Sequence, residues 1–393
     1  MPKLVEKERL RRGVPPAEAK VAYGTLYGLF EEGRKRYNET LLLDVIRALL
    51  RQAQPPPATL ERQVGEWRDA FQHARGYLPH TAAYPGFRLG VLNTSCQILE
   101  GDGERAIAEG NIRVLVDPVD VTLPSVVNDL RDRVIRDQSR LRKAGKEYYW
   151  HGPRYAVDDF VVTRTGPDEA SEVALHLKHS DYFTFIATQR LDEPLPNGET
   201  LRSMYLDGKD PRNVPTFMRS SFGLNVAVVT ADRWLVVSRR SSRVGVGKNI
   251  WNSSANEGLH RVLDSVDGRP PNLFRAAERG VEEELRLSPA AYDLRLLAFA
   301  VVTSRSQWCC LFLATLHDMT RRQFEDNLGR GVQDAWENEG FEFVRFEPGP
   351  VVSYILREDR RDSWAPAAPV LFFLSLVNAY GREAVDRVAT AAG

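Results

Sequence analysis

The stretch Phe274-Arg-Ala-Ala-Glu-Arg-Gly-Val-Glu-Glu-Glu-Leu-Arg-Leu287 decides how this chain is read. Its apolar spacing predicts an amphipathic helix. Positions 279, 280, 283 and 284 are separated by one, three and four residues, so on a helix they share a face, and Arg279, Glu283 and Glu284 project together. Glu282 points away, turned by about 100° from its neighbour. An acidic helix face alone is only a solvated surface, so its meaning rests on what surrounds it. Upstream, Phe222–Thr230, a turn at Ala231-Asp232-Arg233 and Trp234–Arg240 read as a hairpin of apolar strands. Asn249–Gly258 is rich in turn formers and reads as a loop, followed by an insertion that ends at Pro270-Pro271. Downstream, strands are expected at Leu294–Val302, Trp308–Leu316 and Phe341–Phe346, then a helix at Val370–Tyr380.

This order of elements, with Arg279, Val281, Glu283, Glu284 and Leu287, resembles the Nudix family, whose signature is Gly-x5-Glu-x7-Arg-Glu-U-x-Glu-Glu-x-Gly-U, U being bulky and aliphatic. The resemblance implies an αβα sandwich with a mixed sheet over residues 216–385. It also implies Mg2+, or Mn2+, held by Glu283 and Glu284, by the carbonyl of Gly258 and by a late carboxylate, for which Glu339 in Trp336–Glu342 is the first choice. Such an ion neutralises a diphosphate and activates water. Glu283, Glu284 and Arg279 are then the catalytic residues, with Arg279 orienting a carboxylate through a charge-assisted bond. Arg239, Arg240, Lys248 and Trp251, near the expected pocket mouth, are the substrate-binding candidates.

Two departures matter. Gly280 replaces a family glutamate, and Arg286 replaces a glycine. Glu282 or Glu257 is the candidate to restore the missing oxygen. Two functions are compatible with the pattern. One is Mg-dependent hydrolysis of a (nucleoside) diphosphate-linked metabolite. The other is a non-catalytic, ligand-sensing transcriptional regulator.

The regulator reading draws on the N-terminus. Arg12–Ala19, Leu29–Arg34 and Thr40–Leu49 resemble the repressor-type helix-turn-helix, keeping Glu32, Gly33, Thr40 and Leu41 of its pattern. Residues 1–51 hold eleven Lys/Arg against seven Asp/Glu, and this excess of four is a modest phosphate-binding surface. The expected recognition segment offers Tyr23, Thr25 and Tyr27, with no Arg, Asn or Gln for base edges. DNA contact through residues 1–52 and helical docking are both compatible with this pattern. A Pro-rich linker and helix are expected at 53–84.

Residues 85–215 read as a separate α+β domain, with a helix over Ser125–Lys143 and strands at Arg88–Leu92, Ile112–Val116, Tyr155–Thr163 and Glu172–Leu177. Tyr148–Tyr155 and Asp181–Phe185 are candidates for an aromatic, basic wall. The fold class is therefore α+β, with a small helical N-terminal domain. The whole chain carries 53 basic and 53 acidic side chains, so no global field draws it to nucleic acid or membrane. No apolar run reaches the roughly 20 residues of a membrane span, and Met1–Arg12 lacks the apolar stretch of a secretory signal, so a cytoplasmic place is expected. Cys96, Cys309 and Cys310 lack metal-ligand spacing and are expected to be buried thiols. A homodimer is left open.

Overall fold

The computed structural model describes residues 2–21, 39–53, 56, 59–65, 67, 86–165, 170–241, 250–265, 268–329 and 338–391. The chain divides into two compact units, Met1–Thr81 and Ala82–Gly393.

In the first unit, α1 (Pro2–Arg11) and α2 (Glu39–Leu50) bring Val5 against Leu41, Val45 and Ala48. The spacing of three and four between those α2 residues gives one apolar stripe. Glu8 and Asp44 are each 1% exposed. Burying a carboxylate is costly unless it is paired, and both are: Glu8 with Arg51 at 2.7 Å, Asp44 with Arg9 at 3.3 Å and with Arg12. Arg47 pairs with Glu61 at 2.6 Å. Four guanidiniums of the expected phosphate-binding surface are thus spent inside the unit. The expected recognition segment, with Glu32 and Gly33, lies outside the described residues.

The second unit is built on a mixed sheet. Its strands are β3 (Cys96–Glu100), β7 (Phe222–Val229), β8 (Trp234–Arg240), β9 (Trp251–Asn252), β10 (Ala255–Gly258), β11 (Tyr292–Val302), β12 (Gln307–Leu316) and β13 (Asn338–Arg345), after a small hairpin, β1 (Arg88–Leu89) with β2 (Leu92–Asn93). The order is β13-β8-β7-β12-β11-β3, with β10 on β7 and β9 on β8. β7 and β12 run parallel, and the other pairs are antiparallel. The expected hairpin is present, its turn closed by Arg233 at φ 63°. The expected strand Arg88–Leu92 is instead split by a turn at Gly90, whose φ of 52° suits glycine.

β7 is buried along both faces, so the sheet needs a cover on each side. On one side lies the helix Ala367–Tyr380, buried from Ala367 to Val377. On the other lies the signature helix, Leu273–Leu285, together with a second sheet of β4 (Ile112–Asp120), β6 (Ala170–Asp181) and β5 (Pro153–Thr165), in the order β4-β6-β5. The class is α+β.

The segment expected as an independent domain over 85–215 shares its core with the strands of the main sheet. β3 completes that sheet beside β11, and Val157, Val173 and Leu175 pack in one cluster with Phe222, Leu224 and Leu273. The physical reason is the breadth of the apolar face, which the signature helix cannot cover alone. The helix Ser125–Lys143 forms as expected and packs Val127, Leu130 and Val134 against Phe183 and Ala187. Asp181–Phe185 does not make an open wall. Asp181 caps the helix Tyr182–Thr188 by accepting from the Thr184 N–H, and Phe183 and Phe185 are buried. Cys96, Cys309 and Cys310 are buried free thiols.

Candidate functional site

The signature helix begins at Asn272, whose side chain accepts from the N–H groups of Phe274 and Arg275. It ends at Arg286, held at φ 56°, the left-handed conformation for which glycine is the usual choice. The helix buries Leu273, Ala276, Ala277, Val281 and Leu285, which leaves Arg279 and Glu283 at its margin facing β10 and the loop after it.

Arg279 is the hub. Its Nε and Nη2 donate to the two oxygens of Asp264 at 2.9 and 3.1 Å. Its Nη1 lies 2.9 Å from Glu257 and 3.0 Å from Glu283. Burial works against the charge of this guanidinium, but the Asp264 hydrogen bonds and the Glu257 and Glu283 charges outweigh it and raise its pKa. Burial also lifts the Glu257 carboxyl above its ordinary range, more than the Arg279 and Arg154 charges lower it.

Gly280 is explained by Glu257. A Cβ at position 280 would lie 2.6 Å from the Glu257 Cβ and 3.3 Å from its Cγ. The side chain missing from the helix is thus replaced, in space, by a carboxylate arriving from β10. Glu282, the other candidate for this role, is exposed. Glu284 is 4% exposed, and one of its oxygens accepts from the Asn256 N–H at 2.7 Å.

The second sheet supplies a further cation. Arg154 on β5 donates from Nη1 to the Gly258 carbonyl at 3.0 Å, with its guanidinium 5.6 Å from the Tyr182 ring centre. Beside it, His260 accepts at Nδ1 from the N–H groups of Val262 and Leu263, each at 3.1 Å, and stacks on Trp150 at 5.7 Å. Burial and the nearby Arg154 charge pull the His260 pKa down to about 4, so the ring is neutral at physiological pH.

Arg279 and Glu283 therefore meet Glu257 and Asp264, while Glu284 and Arg154 bind the backbone of β10, at Asn256 and Gly258. The other expected site residues have different partners. Glu339 sits 4.0 Å from Arg239. Arg239 and Trp251 do come together, ring centre to guanidinium 5.5 Å, but the Trp251 ring also lies 4.2 Å from the Arg360 guanidinium. Arg240 donates its backbone N–H to Ile250. Lys248 lies outside the described residues. Gly258 is in the site, yet its carbonyl, expected to face a metal ion, accepts from Arg154.

Among the described residues, no group of three or more His, Cys, Asp or Glu side chains is arranged to hold a metal ion. One oxygen of Glu283, one of Glu284 and the Gly258 carbonyl meet guanidinium or backbone N–H groups of the chain itself.

Sequence reasoning missed Asp264, and it named Arg154 only within the aromatic, basic wall of Tyr148–Tyr155, not beside Gly258. Asp264 had a signal, because Gly258-x5-Asp264 repeats the Gly-x5-Glu spacing of the signature, with the insertion falling after the acid. The pairing of Arg154 with Gly258 had none, the two being 104 residues apart.

No family model and no curated protein matches the chain. Among solved structures, the crystal structure of DR0079 from Deinococcus radiodurans is similar over 39% of this chain and 81% of that one, with 17% identity and a TM-score of 0.29.

Proposed function

We propose that the second unit is a Nudix-like ligand-binding module that does not cleave its ligand, the sensing part of a ligand-responsive regulator. One observation carries this reading: guanidiniums hold two of the groups on which a divalent ion would depend, Glu283 and the Gly258 carbonyl. Arg279 holds Glu257, Asp264 and Glu283, and Arg154 holds the Gly258 carbonyl. A cation entering there has to displace guanidiniums from partly buried carboxylates, which leaves buried charge unpaired. Arg154 spends one N–H donor on Gly258, and its others make no hydrogen bond among the described residues. They remain for an anionic ligand such as the phosphates of a diphosphate-linked metabolite.

The competing reading, Mg-dependent hydrolysis, draws on Glu257, which fills the place of the side chain absent at Gly280. It keeps Arg279 on one carboxylate and requires Arg154 to leave the Gly258 carbonyl. The two readings part in one assay, with ADP as the probe. The sensor reading expects the parent to bind ADP in the presence of EDTA. It also expects parent and Glu284→Gln to release phosphate at the same background rate when Mg2+ is added. A Mg-dependent rate in the parent that Glu284→Gln lowers by a factor of about 100, the scale of losing one group that stabilises a transition state, overturns it. DNA contact by the first unit belongs to this reading, and salt-dependent retention of residues 1–60 on DNA tests it.

A further inference from the structure

β4 is an edge of the second sheet, bonded only to β6 among the described residues. Natural edge strands are usually shortened, covered or guarded by charge, because an unpaired row of N–H and C=O groups recruits another strand. β4 spans nine residues and carries exposed apolar side chains, Leu115 at 37% and Val119 at 57%. Its inward residues, Ile112, Val114 and Val116, pack against the core below, so the strand cannot slip. Its outward residues, Arg113, Leu115 and Asp117, are exposed. Neither Arg113 nor Asp117 has an ion pair or hydrogen bond from its side chain among the described residues. Being four apart on one extended strand, they cannot reach each other.

We propose that β4 pairs antiparallel with β4 of a second copy of this chain, about a two-fold axis through Leu115. A two-fold interface must be self-complementary, each residue meeting its counterpart twice. With the axis at Leu115, Arg113 of one copy lies opposite Asp117 of the other, twice, and Leu115 meets Leu115. Val114 and Val116 then face each other in the ladder, with their side chains still in their own cores. Opposite charges across an antiparallel pair are favourable and like charges are not, so these two residues fix both partner and register. Pro118, which has no N–H to donate, and the register shift between Asp117 and Asp120 end the pairing on one side. By symmetry they end it on the other. The result is one continuous sheet, β5-β6-β4 and its mirror order in the second copy. A patch of this length is at the small end of specific interfaces, so the association depends on concentration.

Sedimentation equilibrium of the full chain over a range of concentrations tests this. The parent mass should climb from 44.4 kDa towards twice that value. Arg113→Asp, which sets like charges opposite each other twice, should raise the dimer Kd by roughly ten-fold or more. Arg113→Asp with Asp117→Arg restores opposite charges and should bring the Kd back to within about three-fold of the parent. All three positions are exposed, and circular dichroism checks that each variant keeps the parent fold. A monomer at every concentration overturns the proposal. So does a dimer indifferent to Arg113→Asp and to Leu115→Arg, since another surface then holds it. Failure of the double variant to recover overturns the register centred on Leu115.

Discussion

Two charged clusters in the second unit are made of similar residues and work differently. At the signature helix, Arg279 is gripped by three carboxylates, of which Asp264 is 2% exposed while Glu257 and Glu283 keep 17% and 23%. Near the end of β8, Arg360 lies between the rings of Trp251 and Tyr354, 4.2 Å from each centre, donates to Glu342 at 2.8 Å and bonds the Tyr354 hydroxyl. The first cluster concentrates negative charge beside a second, partly unused guanidinium. The second spends its guanidinium mainly on two rings and Glu342, with the Arg360 Nε buried and making no hydrogen bond. The lesson is that similar charged residues gather carboxylates in one place and aromatic rings in another. Arg239 and Trp251, expected to hold substrate, belong to the second cluster.

That contrast is open to test, beginning with the largest effect. Arg279→Met strands three carboxylates and should cost about 3–5 kcal/mol in urea denaturation, the scale of breaking one side of a buried pair. A cost below 1 kcal/mol would mean that the hub is an ordinary surface network. A pH effect comes next. The His260 pKa falls to about 4 in the folded state from 6.5, so the neutral ring favours folding above pH 6.5 and that stability drains away as pH falls towards 4. The loss is on the order of 3 kcal/mol. His260→Gln should flatten that part of a stability-against-pH curve, and an unchanged slope would contradict the assignment. Gly280→Ala pushes a methyl into the Glu257 side chain and should cost roughly 1–3 kcal/mol by overpacking, whereas Gly340→Ala, with open space around it, should not. Equal melting temperatures for the two variants would show that Glu257 does not fill the place at 280. Smallest of all, Arg239→Ala should change stability by less than about 1 kcal/mol, since its pair with Glu339 is exposed, and it should leave ADP binding unaltered.

Periodicity made much of this fold readable. The helix Ser125–Lys143, the hairpin of β7 and β8 and the strands β11 and β12 follow from apolar spacing alone, because each element buries a definite face. The union of residues 85–215 with the main sheet was not readable, since β3 meets β11 across about two hundred residues and local pattern carries no record of such pairing. At the site, Arg279, Glu283 and Glu284 stand out because a helix brings close positions together. Asp264 was hidden by the insertion that separates it from Arg279, although its spacing from Gly258 was intact. Glu257 was legible only as one of two candidates, and the space left by Gly280 selects it. Arg154 comes from a different sheet, and no feature near it announces the contact with Gly258.

The central proposal is that the chain's own guanidinium and N–H groups, in place of a divalent ion, satisfy the oxygens beside the signature helix. A calorimetric titration of the parent chain with Mn2+, repeated on Glu283→Gln, tests it most directly. The account predicts no saturable heat that distinguishes the two proteins. A one-site isotherm in the parent that disappears in Glu283→Gln would contradict it and return the chain to metal-dependent chemistry.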